Sequence, residues 1–167
     1  WAWAAAGEGD SVLLSAVSRE RELAVRAAML RELWRTSGNQ WPAVALRYTR
    51  AGQAELRWAA LWSLSRKGGG ELETSLPELL RDPEPQVRLL ACEAVRRHRL
   101  SGLASSVVAL LADSEEGVRV AAMNALAELG EGASQVVTGK ALRELDQLIA
   151  REDLEHPHLR VAAVRLA

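Results

Sequence analysis

The sequence predicts an all-α fold: an α-solenoid of stacked antiparallel helix pairs, about 31 residues per repeat. Three observations predict it. First, an aliphatic-arginine pair recurs as Val25-Arg26, Leu56-Arg57, Val87-Arg88, Val118-Arg119 and Leu159-Arg160; the first three intervals are 31 residues and the fourth is 41. Second, counting the aliphatic residue as position 0, positions 0, 4 and 8 are apolar in every complete copy, which keeps one face of a 3.6-residue helix apolar. Third, no segment shows the sustained period-two alternation of a half-buried strand.

The second helix of each pair, helix B, reads VRAAMLRELWRTSG, LRWAALWSLSRKGG, VRLLACEAVRRHRL and VRVAAMNALAELGE in the four complete copies; a fifth, LRVAAVRLA, holds nine residues. Position 3 is mostly Ala, so neighbouring backbones can approach closely. An A segment precedes each B helix. Leu76, Leu79 and Leu80 fall 31 residues before Val107, Leu110 and Leu111. Short polar turns, DPEPQ at 82–86 and DSEEG at 113–117, join A to B. Asp82 and Asp113 are expected to accept hydrogen bonds from unpaired N–H groups where helix B begins. Pro85 suits a first helical turn, where its missing N–H costs nothing. Gly38, Gly68 and Gly130 are expected to end B helices, and Pro42 and Pro77 to mark the starts of A helices. A single pair leaves its apolar faces uncovered, whereas stacked pairs bury them against each other.

At the amino end, WAWAAA stands in the register of an earlier B helix. The ten extra residues before Arg160 are expected to lengthen the last A helix and its loops. Residues 1–167 are therefore expected to form one array, a fragment of a longer chain with partial repeats at both ends.

Composition narrows the function classes. The chain is 49% hydrophobic and 26% charged, which suits a packed domain rather than a disordered segment. With six Trp, one Tyr and no Phe, the core must be built from Leu, Val and Ala. The formal charge of −1 provides no global field to attract nucleic acid, so electrostatic recognition must be local. Nineteen of the 21 basic residues are Arg, and this Ala/Arg-rich, Lys-poor usage points to a GC-rich genome. One cysteine excludes an internal disulfide. No apolar run reaches the roughly 20 residues that span a bilayer, and the expected compartment is the cytoplasm.

The segments DPEPQVRLLACEAV and DSEEGVRVAAMNALAELG resemble HEAT repeats, most closely the short bacterial class called PBS-lyase HEAT-like repeats. The resemblance covers nearly the whole chain. Its most specific part is the Asp-x5-Arg spacing of Asp82/Arg88 and Asp113/Arg119. Other copies depart from it: Glu20 precedes Arg26 by six residues, but Ala51 precedes Arg57 and Leu154 precedes Arg160. The resemblance implies that Arg26, Arg57, Arg88, Arg119 and Arg160, with Asp82 and Asp113, form a structural bridging ladder. Position 1 borders the apolar face, so each arginine can lay its stem on the core and extend its fork to turn carboxylates and helix-end carbonyls. The resemblance also implies that B helices line the inner, concave surface of the solenoid.

Opposite the apolar stripe, position 6 reads Arg31, Trp62, Glu93, Asn124; position 10 reads Arg35, Arg66, Arg97, Glu128; and position 9 reads Trp34, Ser65, Arg96, Ala127. The first three copies thus offer a basic strip interleaved with tryptophan. Trp62 has polar equivalents and is expected to be exposed. Trp58, Trp34, Trp1 and Trp3 are expected to pack between repeats, and Trp41 to staple the start of an A helix. Trp62→Ala is then expected to spare the fold, and Arg119→Ala to loosen it.

No catalytic residue is singled out. The chain lacks the P-loop, GxSxG and GxGxxG patterns. His98, His156 and His158 do not form a metal-ligand pattern, and Cys92 at apolar position 5 reads as a core thiol. No cofactor or metal is expected. The leading expectation is a non-catalytic interaction scaffold that holds a partner protein or acidic peptide through Arg31, Arg35, Trp62, Arg66, Arg96, Arg97 and Asn124. Two alternatives follow from the resemblance: chromophore handling of the phycobilin lyase or isomerase kind, and nucleic-acid binding. Local charge cancellation disfavours the latter.

Overall fold

The computed structural model describes residues 7–129, with side chains from Ser11 onward. The expectations for Trp1, Trp3, Gly130, His156, His158, Arg160 and the lengthened last A helix lie outside these residues. Eight α-helices and no strand make up the described residues: α1 (Gly7–Arg19), α2 (Leu23–Glu32), α3 (Trp41–Tyr48), α4 (Ala54–Lys67), α5 (Gly70–Leu79), α6 (Pro85–His98), α7 (Ala104–Val108) and α8 (Glu116–Leu129). The all-α solenoid of helix pairs is thus present, with α2, α4, α6 and α8 as the B helices. The helices gather into two compact units, Trp1–Leu79 and Leu80–Ala167.

In the first unit, α2 packs on α4, and α3 packs against α4 and α5. In the second, α6 packs on α8, and α7 packs on α8. Positions 5 and 8 are buried in all four B helices: Leu30, Leu61, Cys92 and Met123, then Leu33, Leu64, Val95 and Leu126. Each fully buried Leu or Val contributes roughly 1.5–3 kcal/mol of transfer free energy, so this double row drives stacking. Positions 0 and 4 are buried in the last three copies, but Val25 and Met29 are only half-buried.

The arginine of each B helix fastens the turn before it. Arg57 Nη1 donates to the Ala51 and Gly52 carbonyls, both at 3.0 Å. Arg88 Nη1 donates to those of Asp82 and Pro83 at 2.8 and 3.0 Å. Arg119 Nη1 does the same to Asp113 and Ser114 at 2.8 and 3.0 Å. Arg26 Nη2 donates to the Glu20 carbonyl. The acceptors are main-chain oxygens six and five residues upstream. Ala51 therefore serves Arg57 as Asp82 serves Arg88.

The acidic residue at this turn has its own partner. Asp82 Oδ1 accepts the Glu84 N–H at 2.9 Å, Asp113 Oδ1 that of Glu115 at 3.0 Å, and Glu20 Oε1 that of Glu22 at 2.8 Å. Each side chain closes a two-residue loop just before helix B, and Glu84 itself is the N-cap of α6. Arg119→Ala removes two charge-assisted hydrogen bonds whose acceptors remain partly solvated. It is expected to cost about 1.5 kcal/mol, read by urea unfolding; no change would deny the clamp a stabilising role.

Two boundaries differ from the sequence expectation and a third agrees. Pro77 does not start an A helix; it lies inside α5, which begins at Gly70. An interior proline costs a helix roughly 3 kcal/mol, yet Leu72, Ser75, Leu76 and Leu79 bury one continuous face across it. That burial outweighs the lost hydrogen bond. Gly38 does not cap α2, because the helix tightens into a 3-10 turn at Leu33–Arg35 and stops at Thr36. Gly68 does end α4, with φ 77°.

The equivalent place after α6 is taken by Arg99 in the left-handed region, φ 51° and ψ 45°. There the Leu100 N–H reaches the Val95 carbonyl at 3.1 Å, a Schellman-type ending. A left-handed non-glycine residue costs roughly 1–2 kcal/mol. The Arg99–Glu128 contact at 3.2 Å is solvent-screened and offsets little of this. Arg99→Gly is therefore expected to raise unfolding free energy by about 1 kcal/mol, and a fall in stability would overturn this account.

Candidate functional site

The strip expected on the B helices is built differently in the two units. In the first unit it is a ladder of alternating rings and cations. Trp58 and Trp62, one turn apart on α4, stack with centroids 5.4 Å apart and planes 14° apart. The Arg66 guanidinium lies over the Trp62 ring at 5.7 Å and over the Trp34 ring at 4.9 Å. The Arg35 guanidinium also lies over Trp34, at 5.1 Å. Trp34 is fixed from behind, since its backbone N–H donates to the buried Ser63 Oγ at 3.0 Å. This bond ties the 3-10 end of the first B helix to the middle of α4.

The expectation that Trp62 stands exposed is corrected: it is half-buried. Spacing of four places Trp58 and Trp62 on the same helical face, so each indole covers part of the other. Trp62→Ala would break a stacked pair of a type worth about 0.5–1.5 kcal/mol beyond area burial, and it no longer qualifies as a change that spares the fold. Trp34, expected to pack between repeats, meets the next B helix at Ser63 and Arg66 and lies under two guanidiniums. The pattern was present in the sequence as rows 6, 9 and 10 lying side by side, with a Trp or Arg in five of the six places of the first two copies. The exception, Ser65, is buried and donates to the Trp62 carbonyl.

Charge on this unit is unevenly spent. Arg35 Nε contacts Glu32 Oε2 at 2.8 Å. Arg50 pairs with Glu78 at 2.8 Å, and Lys67 Nζ donates to the Thr36 carbonyl at 3.2 Å while lying over the buried Trp41 ring at 5.5 Å. Arg31 and Arg66 are exposed and form no ion pair among the described residues.

In the second unit the same rows are largely self-neutralised. Arg96 grips Glu93 through Nε and Nη2 at 2.9 and 2.6 Å, and Arg97 Nη2 lies 3.7 Å from the same carboxylate. The Arg96 hydrogen bond holds the Glu93 carboxyl below the usual carboxylate range. Asn124 is exposed on α8. The structural pair sits elsewhere: Arg88 Nε and Nη2 meet Asp113 Oδ2 and Oδ1, both at 2.7 Å, with side chains 12% and 6% exposed.

The groups that could carry chemistry are quiet. Cys92 is fully buried, and desolvation pushes its thiol up to about 12, so the nucleophilic thiolate is suppressed. Among the described residues no three His, Cys, Asp or Glu side chains come together as metal ligands. No helix among them is long and apolar enough to cross a membrane.

A succession of A and B helices, each described B helix fastened to its turn by a position-1 arginine, defines an α-helical repeat protein. The HEAT-repeat family profile matches residues 72–155, half of the chain, and the chain belongs to that family. Among solved structures it is similar to an engineered protein, with 17% identity over 95% of this chain and 78% of that one and a TM-score of 0.71. It is also similar to the Escherichia coli protein YibA, with 18% identity over 95% and 68% and a TM-score of 0.64. A third is a designed armadillo repeat protein in complex with the peptide (KR)4, with 15% identity over 98% and 86% and a TM-score of 0.63. No curated protein matches the chain. At these identities the structures establish the shared fold. HEAT repeats on an armadillo-like fold mark the chain as a protein-interaction scaffold.

Proposed function

We propose that this scaffold binds an acidic segment of a partner protein along its B helices, without catalysis. Arg31, Arg35, Trp62 and Arg66 in the first unit provide the main contacts. Arg96, Arg97 and Asn124 in the second contribute less, because Glu93 already occupies the arginines. The observation that carries the reading is the exposure of Arg31 and Arg66 without any ion pair among the described residues, while Arg35, Arg50, Arg88, Arg96 and Arg99 each hold a carboxylate. A designed repeat protein of similar fold takes a basic peptide, (KR)4; here the open charges are positive, so the complementary peptide is acidic.

Titration calorimetry of the full chain with capped octa-glutamate tests this. Binding is expected to weaken several-fold when salt rises from about 0.05 M to about 0.3 M, as the Debye length contracts. Binding indifferent to salt, or duplex DNA bound more tightly than the peptide, would overturn the reading.

A further inference from the structure

We infer that Arg66, set over the Trp34 and Trp62 rings, is a preformed receptor for one carboxylate of that acidic segment. The inference rests on the acidic-partner reading and names the residue and geometry that discriminate within it.

Stacking uses the face of a guanidinium and leaves its in-plane donors free. The Arg66 guanidinium carbon lies over the Trp34 and Trp62 rings, 4.9 and 5.7 Å from their centroids. Arg66 is exposed and makes no hydrogen bond or ion pair among the described residues. A free arginine loses much rotamer freedom when it binds; one already resting against two indoles loses less.

A second arginine shares the same ring. Arg35 lies over the same Trp34 ring at 5.1 Å and forms an ion pair with Glu32, Nε to Oε2 at 2.8 Å. Trp34 thus supports two guanidiniums: one already holds a carboxylate from its own helix, and the other presents an open edge. The ligand that completes the second is a planar carboxylate, an Asp or Glu side chain of an extended partner segment, which a planar fork can grip through two parallel bonds.

The indoles are supports for a cation, not apolar anchors buried in the partner. A lysine at position 66 would keep the charge and lose the fork and the stack.

Calorimetry with capped octa-glutamate on the full chain, comparing wild type, Arg66→Lys and Arg50→Lys, decides the matter. Arg66→Lys is expected to weaken binding by about fivefold or more, as loss of a bidentate charged contact requires, whereas Arg50→Lys, outside the strip, binds as wild type. Arg66 is exposed, and matching thermal melts check that its replacement leaves the fold intact. Equal binding by Arg66→Lys would overturn the receptor while leaving the acidic-partner reading standing. No binding by wild type would overturn both. Tighter binding of a peptide carrying phosphoserine in place of glutamate would overturn the carboxylate assignment.

Discussion

Asp113→Ala is expected to destabilise the chain by about 3 kcal/mol, at the lower end of what breaking a shielded ion pair costs. Two losses combine. Arg88 keeps its clamp on the Asp82 and Pro83 carbonyls but loses both bonds from Nε and Nη2, leaving a charge that is only 12% exposed without its counter-ion. The Glu115 N–H loses its acceptor as well. Urea unfolding at neutral pH measures the sum. A cost below about 1 kcal/mol would mean that water screens the pair as it does surface pairs.

The same carboxylate has a pH signature. Burial raises the Asp113 pKa, but hydrogen bonds from Arg88 and the Glu115 N–H, with the charges of Arg88 and Arg119, outweigh it and hold the carboxyl below its ordinary value. A folded-state pKa lower than the unfolded one means that protons bind the unfolded chain more readily. The stabilisation is therefore complete above the unfolded value of about 4 and is lost as pH falls through the lower folded value. Asp113→Asn is expected to flatten the stability profile in that acid range, and an unchanged profile would remove Asp113 from the account.

Ala51→Asp is expected to stabilise the chain by about 2 kcal/mol, because it fills a gap for a group already buried without a partner. Arg88 meets a carboxylate 25 residues downstream, at Asp113. The residue 25 downstream of Arg26 is Ala51, and the Arg26 Nε is buried with no hydrogen-bond partner. Aspartate at 51 would supply that acceptor and could close the turn onto the Gln53 N–H, as Asp82 and Asp113 do two residues ahead of themselves. The melting temperature should rise by about 4–8 °C for a chain of this size. Ala51→Asn, which offers the turn acceptor without the charge, should recover less than half of the gain. Equal gains from Asn and Asp would assign the effect to the turn alone.

These two positions also show what the sequence discloses and what it hides. Helices, turns and the repeating arginine follow from hydrophobic period and spacing, since local backbone preference and face burial agree at Val87–Arg88 and at Pro85. The acceptors of the arginines were less legible. Asp-x5-Arg suggests a carboxylate partner within the repeat, but the fork takes that residue's carbonyl, and the carboxylate of Asp113 goes to the preceding B helix. Side-chain identity cannot report a main-chain acceptor. Pro77 inside α5 and left-handed Arg99 were hidden because tertiary burial and a helix ending overrode residue preference. The Trp34–Arg66–Trp62 stack was half visible. Its members fall in adjacent rows, but only the side-chain directions of two packed helices reveal that Arg66 lies over both rings.

The arginine clamp has an evolutionary consequence. Its acceptors are carbonyl oxygens, which every residue type provides, so the turn it grips may be Ala51-Gly52, Asp82-Pro83 or Asp113-Ser114 without loss of the bonds. A segment duplicated within the gene carries its own fastening, whatever its loop becomes. Mutation is then tolerated in the connecting residues while the copied arginine remains under selection, and an array can lengthen by whole copies whose loops drift apart.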